Sequence, residues 1–368
     1  MMKRTLLCIT AVIMAGFMSV SCFQEKGDDE PQEVTATVGV YVLSEGQGQE
    51  DDVLLTYYDT INDKASEQTD KFRENNNGMS LGRYPHDMLI LDNHLVVAVT
   101  GSKEIKVIDK TSCQLLTSIK AEADGQTLSP KCLTVDGDVV YATFAEGYVG
   151  RINIEAGKVL ALAKVGANPE GIAISNSMIY VANAGAAPEY GTTVTVLEKT
   201  DLVKKKDITV AANPQKLAAA SDNKVFVISY GNGGDVPATL QLIDQSDNVK
   251  KVEEIEYPYD FSFRAGDKKL YVVERFTDEA GNVRSSVKKI DAAYDAEYAG
   301  QVVESDLLGN LGVVAVDNLT GAIYACTSDP DRGARLSIFN ERESLFVTVT
   351  VGGHNTRKVA FVQGQIWI

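Results

Sequence analysis

The residues able to do chemistry are few in kind. The 368-residue chain holds three histidines, His86, His94 and His354, and five cysteines, Cys8, Cys22, Cys113, Cys132 and Cys326, beside 51 acids and 35 lysines and arginines. Zinc needs three or four converging nitrogen and sulfur ligands, commonly from CxxC or HExxH spacings, and neither spacing occurs. A P-loop is also missing, and the glycine-rich Gly231–Gly234 follows a predicted strand without opening a helix. His94 falls in a predicted hairpin turn, and His86 and His354 fall in predicted loops, so solvated imidazoles are expected. Asp329–Gly333 (DPDRG) has the alternating carboxylates of a calcium loop but not its later ligands, and is read as a turn. The expectation is therefore no resident cofactor, no metal, no calcium and no catalytic residue.

Carboxylates remain. Glu45, Glu146, Glu170, Asp260, Glu274 and Asp329 fall in predicted loops or strand ends, and acid/base work would need two of them within ~5–10 Å. Most are expected to be solvated. A formal charge of −16 repels phosphate backbones, so nucleic acid is not an expected partner.

The elements that must position these residues are repeated. Aligned on a proline, the units read PHDMLILDNHLVVAVTG from Pro85, PKCLTVDGDVVYATFAEG from Pro130, PEGIAISNSMIYVANAG from Pro169, PQKLAAASDNKVFVISYG from Pro214 and PYDFSFRAGDKKLYVVERF from Pro258. Two more units, from Asn310 and from Thr356, lack the proline. Within a unit, short alternating β-branched runs are separated by turn residues such as Asp136-Gly137, the pattern of antiparallel strands. Four strands in ~40–45 residues is the period of a β-propeller blade.

An all-β fold follows: a seven-bladed β-propeller of four-stranded antiparallel blades. Val38–Thr60 matches only the second and third strands of a unit, and Arg357–Val362 matches the first, so N- and C-terminal strands are expected to share one blade and close the ring. Gln365–Ile368 (QIWI) fits this scheme badly, because it aligns with a second strand that the N-terminal run already supplies.

Ahead of the ring, Lys3 and Arg4 precede an apolar run to Val20, a secretory signal over residues 1–21. Cys22 after small residues resembles the bacterial lipoprotein signal, which implies lipidation of Cys22. Residues 22–36 are acidic and polar and read as a flexible tether, leaving 37–368 as the propeller. The acidic stretch resembles the signal that sends lipoproteins of gut bacteria to the outer cell surface. Cys113, Cys132 and Cys326 are expected as buried small hydrophobes, with a Cys113–Cys132 bridge left open.

In a propeller, the loops into each first strand and after each second strand share one face. The first set nominates Tyr84, His86, Lys131, Glu170, Gln215, Tyr259, Asp260 and Arg357. The second nominates Glu45, Phe144, Glu146, Asn183, Tyr230, Arg275, Phe276 and Arg332. The candidate ligand-binding residues are Tyr84, His86, Lys131, Glu170, Asn183, Tyr230, Tyr259, Asp260, Arg275, Phe276, Arg332 and Arg357. Tyrosines and arginines lead because they supply area and directed hydrogen bonds together.

Segments such as MIYVANAG, KVFVISYGN and KLYVVERF in this frame resemble the YVTN-type repeat of YncE-like propellers. GVYVLSEGQG, LLTYYD and the unit from Pro85 resemble a subgroup of surface lipoproteins of gut bacteria that includes cobalamin-capturing propellers. That resemblance implies a non-catalytic, outer-membrane, lipid-anchored monomer that binds a corrinoid and hands it to an outer-membrane transporter. A carboxylate-dependent hydrolase or lyase, or a protein-interaction scaffold, is the alternative on the same fold.

Overall fold

Each proline that opens a repeat starts a strand: Pro85–Leu91, Pro130–Asp136, Pro169–Ser175, Pro214–Ala219 and Pro258–Arg264. A residue without a backbone N–H is tolerated there, at the first position of a ladder. Leu311–Val316 and Thr356–Trp367 play the same part in the units that lack the proline. A computed structural model describes residues 32–46, 53–65, 69–220, 223–292, 296–304, 309–329 and 333–367. The leader, Cys22, Arg332 and the turn at 330–332 lie outside the described residues.

These seven strands are each the innermost member of a four-stranded antiparallel sheet, and the sheets are the blades of a propeller. Numbered along the chain from the one that holds both termini, blade one consists of Thr356–Trp367, Glu33–Ser44, Leu54–Asp59 and Lys64–Ala65, from the lumen outward. The other six are continuous in sequence. The ring is thus closed as expected, by the C-terminal strand pairing with the N-terminal one from Ser44 opposite Thr356 to Glu33 opposite Trp367.

That pairing resolves the misfit of the last residues. Gln365–Trp367 is no second strand; it prolongs the innermost strand past a register shift at Thr37/Gly39 and pairs with Glu33–Thr35. Glu33–Ala36, expected in the tether, is therefore strand. The mismatch arose because both strands run to 12 residues, about twice the usual length.

Apolar side chains fill the wedges between blades. Among the described residues there are seven clusters, one at each blade junction. Between blades five and six, for example, Phe226, Leu240, Leu270 and Val272 are fully buried. Each large side chain contributes roughly 1.5–3 kcal/mol on burial, so the seven to fourteen buried residues of each wedge outweigh any polar link between blades. Cys113 and Cys326 sit inside two of these clusters, and all three body cysteines are free thiols. A short helix, Lys71–Asn75, is capped by the Asp70 carboxylate and seals the junction of blades one and two with Phe72.

Candidate functional site

The innermost strands surround a lumen, and each breaks register at its start. The shift falls between Pro85 and Asp87, Pro130 and Leu133, Pro169 and Ile172, Pro214 and Lys216, Pro258 and Asp260, and Leu311 and Val313. In blade one it falls opposite Leu43 and Ser44, between Lys358 and Thr356. Such a bulge leaves a residue unpaired and re-aims its neighbours. Adjacent residues His86 and Asp87, Gln215 and Lys216, Tyr259 and Asp260, and Arg357 and Lys358 consequently all line one cavity of about 420 Å³.

The polar lining follows a rule of alternation between blades. Cations come from blades one, three and five, and each pairs with an acid of the next blade. Lys358 Nζ is 3.2 Å from Asp87 Oδ1, Lys131 contacts Glu170, and Lys216 Nζ is 3.1 Å from Asp260 Oδ1. Two of the acids also bind backbone: Asp87 Oδ2 accepts from Leu133 N at 2.8 Å, and Asp260 Oδ2 accepts from Val314 N at 3.1 Å. Blade seven supplies Gly312 at this level and no charge.

Across the mouth runs a hydrogen-bonded string from four blades. Arg357 donates to His86 Nδ1 at 2.8 Å, which leaves His86 Nε2–H to donate to Glu170 Oε2 at 3.2 Å. Lys131 donates to the other Glu170 oxygen and to Asn168 Oδ1 at 3.0 Å. Burial, and then Arg357 and Lys131, hold His86 below its ordinary value despite Glu170, so the imidazole is neutral. Burial pushes Glu170 up, but the bonds from His86 and Lys131 outweigh it and hold the carboxyl below its usual range. The same balance operates at Lys216: burial opposes the charge, and Asp260 more than restores it. Asp87 does likewise for Lys358.

His86, Cys132 and Glu170 bring one donor atom each within 4.8 Å, a set of the kind zinc accepts. Their partners do not suit a cation. Burial, then Asp87 and Glu170, push the Cys132 thiol up to about 12, so it carries a proton, and Glu170 already serves Lys131 and His86. The ammonium and guanidinium groups around the trio favour anions. Nor do the carboxylates suit acid/base work, since Asp87, Asp260 and Glu170 are each tied to an ammonium.

Beside the mouth stands an aromatic shelf. The rings of Tyr230 and Tyr259 are parallel within 4° at 5.7 Å, and the Arg275 guanidinium lies 3.3 Å from the Tyr259 centroid. Tyr230 Oη donates to Tyr259 O at 2.7 Å, and Arg275 donates to Asn310 Oδ1 at 3.1 Å, which fixes the stack. Farther out, Tyr257 and Phe276 form an exposed pair with centroids 5.3 Å apart.

Of the residues nominated from sequence, His86, Glu170, Gln215, Tyr230, Tyr259, Asp260 and Arg357 line the cavity, and Lys131 reaches it through Glu170. Others are elsewhere. Asn183 holds blade four together, accepting from Gly166 N and donating to Thr193 and Thr195. Glu146 is tied to Ser129, and Phe144 is core. Tyr84 is half outside, with φ of +52° in a loop whose counterparts are Asn168, Asn213 and Asn355, all left-handed as well. His86 corrects the expectation of solvated loop imidazoles: the bulge turns it into the lumen. His94 and His354 do not line the cavity.

The sequence matches no protein-family model and no curated protein. Among solved structures it is similar to the hydrazine synthase of Kuenenia stuttgartiensis, at 16% identity and TM-score 0.61, covering 73% of this chain and 87% of that one. It is also similar to the dihydro-heme d1 dehydrogenase NirN in complex with DHE, at 12% identity and TM-score 0.56, covering 88% and 75%. A proposed 6-phosphogluconolactonase of Bacteroides uniformis matches at 11% and TM-score 0.61, covering 88% of this chain and all of that one (100%). Identities this low carry the seven-bladed propeller fold and nothing of ligand or reaction.

Asp87, Lys216 and Lys358 were not nominated from sequence. Strict alternation puts neighbours on opposite faces of a strand, so their turning to the lumen beside His86, Gln215 and Arg357 comes from the bulge. The available signal was a charged residue two places after the opening position in four of seven units, Asp87, Lys216, Asp260 and Lys358, at a depth where a packed sheet should be apolar.

Proposed function

We propose that the chain is a non-catalytic capture protein that holds a small molecule at the mouth of its channel. The observation that carries this reading is the convergence of side chains from all seven innermost strands on a single 420 Å³ cavity beside the Tyr230–Tyr259–Arg275 shelf. Most of the charged groups there are held by a neighbouring blade, so little conformational freedom is lost on binding, which favours tight uptake from dilute solution. The engaged carboxylates support capture over hydrolysis: a general acid needs a raised value, and Glu170 is lowered.

The YVTN-like repeat supports a finer form. Lipidated at Cys22 and held at the outer membrane, a monomeric ring takes up a corrinoid and passes it to a transporter. A corrinoid is larger than the cavity, so its flat ring would lie over the shelf and the Tyr257–Phe276 pair, with one side group entering the lumen.

The test is direct. Cobalamin mixed with the purified chain should co-migrate with it on size exclusion, and Tyr257→Ala with Phe276→Ala should weaken binding by roughly tenfold, as aromatic anchors do. Red absorbance that elutes only as free cobalamin removes the corrinoid.

A further inference from the structure

Four cations gather at the lumen and its rim, each beside one acid. Three ammonium groups meet three buried carboxylates, and a fourth cation, Arg357, has at the rim only Glu45, 3.6 Å from its Nη1. Burial pushes that carboxyl up, against the pull of Arg357. The chain as a whole is at −16, so this gathering of cations is a local feature. Its cations also load one another: Arg357 opposes the charge on Lys216, and Lys216 opposes that on Lys358.

Donors remain unspent on the same wall. Lys216 and Lys358 each meet one carboxylate, which leaves further N–H groups on each ammonium, and 38% and 45% of the two side chains are open to the lumen. The other oxygens of Asp260 and Asp87 hold the backbone of the next blade. Thr356, 6% exposed and on the cavity wall, has a hydroxyl with no hydrogen-bond partner. Beside Thr356, Gly312 puts no side chain into the space.

From this arrangement we infer that the lumen is an oxyanion subsite, in which Lys216, Lys358, Arg357 and the Thr356 hydroxyl hold a phosphate-type group. Two lysines act as point charges from blades one and five, three places apart in the ring of seven, and a tetrahedral anion between them can accept from both sides at once. A planar carboxylate has fewer oxygens to share among four donors. This inference rests on the capture reading: the anion is the acidic group of what the mouth receives.

Titration of the purified chain with inorganic phosphate by isothermal calorimetry tests it, with sulfate, acetate and chloride at matched ionic strength in parallel. The expected result is saturable phosphate binding at one site, with sulfate next and acetate far weaker. Lys216→Met with Lys358→Met should weaken phosphate by about tenfold or more, equivalent to ~1.4 kcal/mol. Should that pair fail to fold by circular dichroism, Gln215→Glu adds a negative charge to the wall without removing a pair and should weaken phosphate by about threefold or more. No saturable binding, equal binding of acetate, or unchanged affinity in the variants overturns the subsite. Cobalamin run on the same samples separates the two readings. Cobalamin without phosphate binding leaves capture and removes the subsite, whereas phosphate without cobalamin leaves the subsite and removes the corrinoid.

Discussion

Between blades five and six, Phe226, Leu240 and Leu270 are fully buried in an apolar wedge, while Lys216, Tyr230 and Asp260 of the same two blades face the lumen. The wedge keeps strict alternation: in Val225–Ser229, successive residues pack on opposite sides of the blade, Phe226 and Ile228 toward one neighbour and Val225 and Val227 toward the other. At the lumen, alternation fails within two residues of every opening position. The difference is one of partners. Apolar wedges gain from any close packing, so regular strands suffice. Charged walls must place each cation against one acid, and a bulge supplies the local turn that regular pleating lacks.

The largest break in this contrast comes from the wedge. Phe226→Ala removes a fully buried ring and should cost roughly 3–5 kcal/mol, seen as a lower midpoint in urea with an unchanged slope. A cost no greater than that of a surface substitution would show that the wedges do not carry the ring.

A smaller effect, confined to pH, marks the lumen wall. His86 is held below its ordinary 6.5, so under that pH the unfolded chain takes up a proton that the folded chain refuses. Stability from this source is full above pH 6.5 and is lost as pH falls. Glu170, held below its ordinary 4.5, adds a second loss that begins only under pH 4.5. The melting temperature should therefore fall between pH 7 and pH 5 in the native chain and fall less in His86→Gln. An identical drop in both would contradict the buried neutral imidazole.

Smallest is the effect at the loop before blade two. Tyr84 holds a left-handed φ where three equivalent loops use asparagine. Asparagine is enriched in that region and a bulky side chain is not, so Tyr84→Asn should leave the melting temperature unchanged or raise it by the equivalent of about 0.5 kcal/mol. A clear fall would mean that the Tyr84 ring carries packing of its own.

The wedges were legible in sequence and the lumen was read only by halves, for the same reason. Proline-led units with alternating valines and isoleucines announce strands whose inward and outward faces can be counted, and Pro85, Pro130, Pro169, Pro214 and Pro258 each start one. Closure by both termini was visible in the missing first strand of the N-terminal run. His86, Glu170, Tyr259 and Arg357 were found because they sit one place after the opening position. Two places after it, Asp260 was found and Asp87, Lys216 and Lys358 were not, because a bulge is an exception to counting. The lengthened strands of blade one hid the role of Gln365–Trp367 in the same way, since ordinary strand length placed them in another slot.

The strand Glu33–Ser44 spans its blade from back to front, about 40 Å at 3.3 Å per residue, and lies between two ladders from Gly39 onward. Its first residue is at the end of the ring remote from Glu45 and Arg357. The described chain therefore enters the ring at the rear, away from the mouth. Glu33–Thr37 are held by one row of backbone bonds, to the C-terminal strand, and Gly39–Ser44 by two, so the seam is doubly fastened at the mouth and singly at the rear.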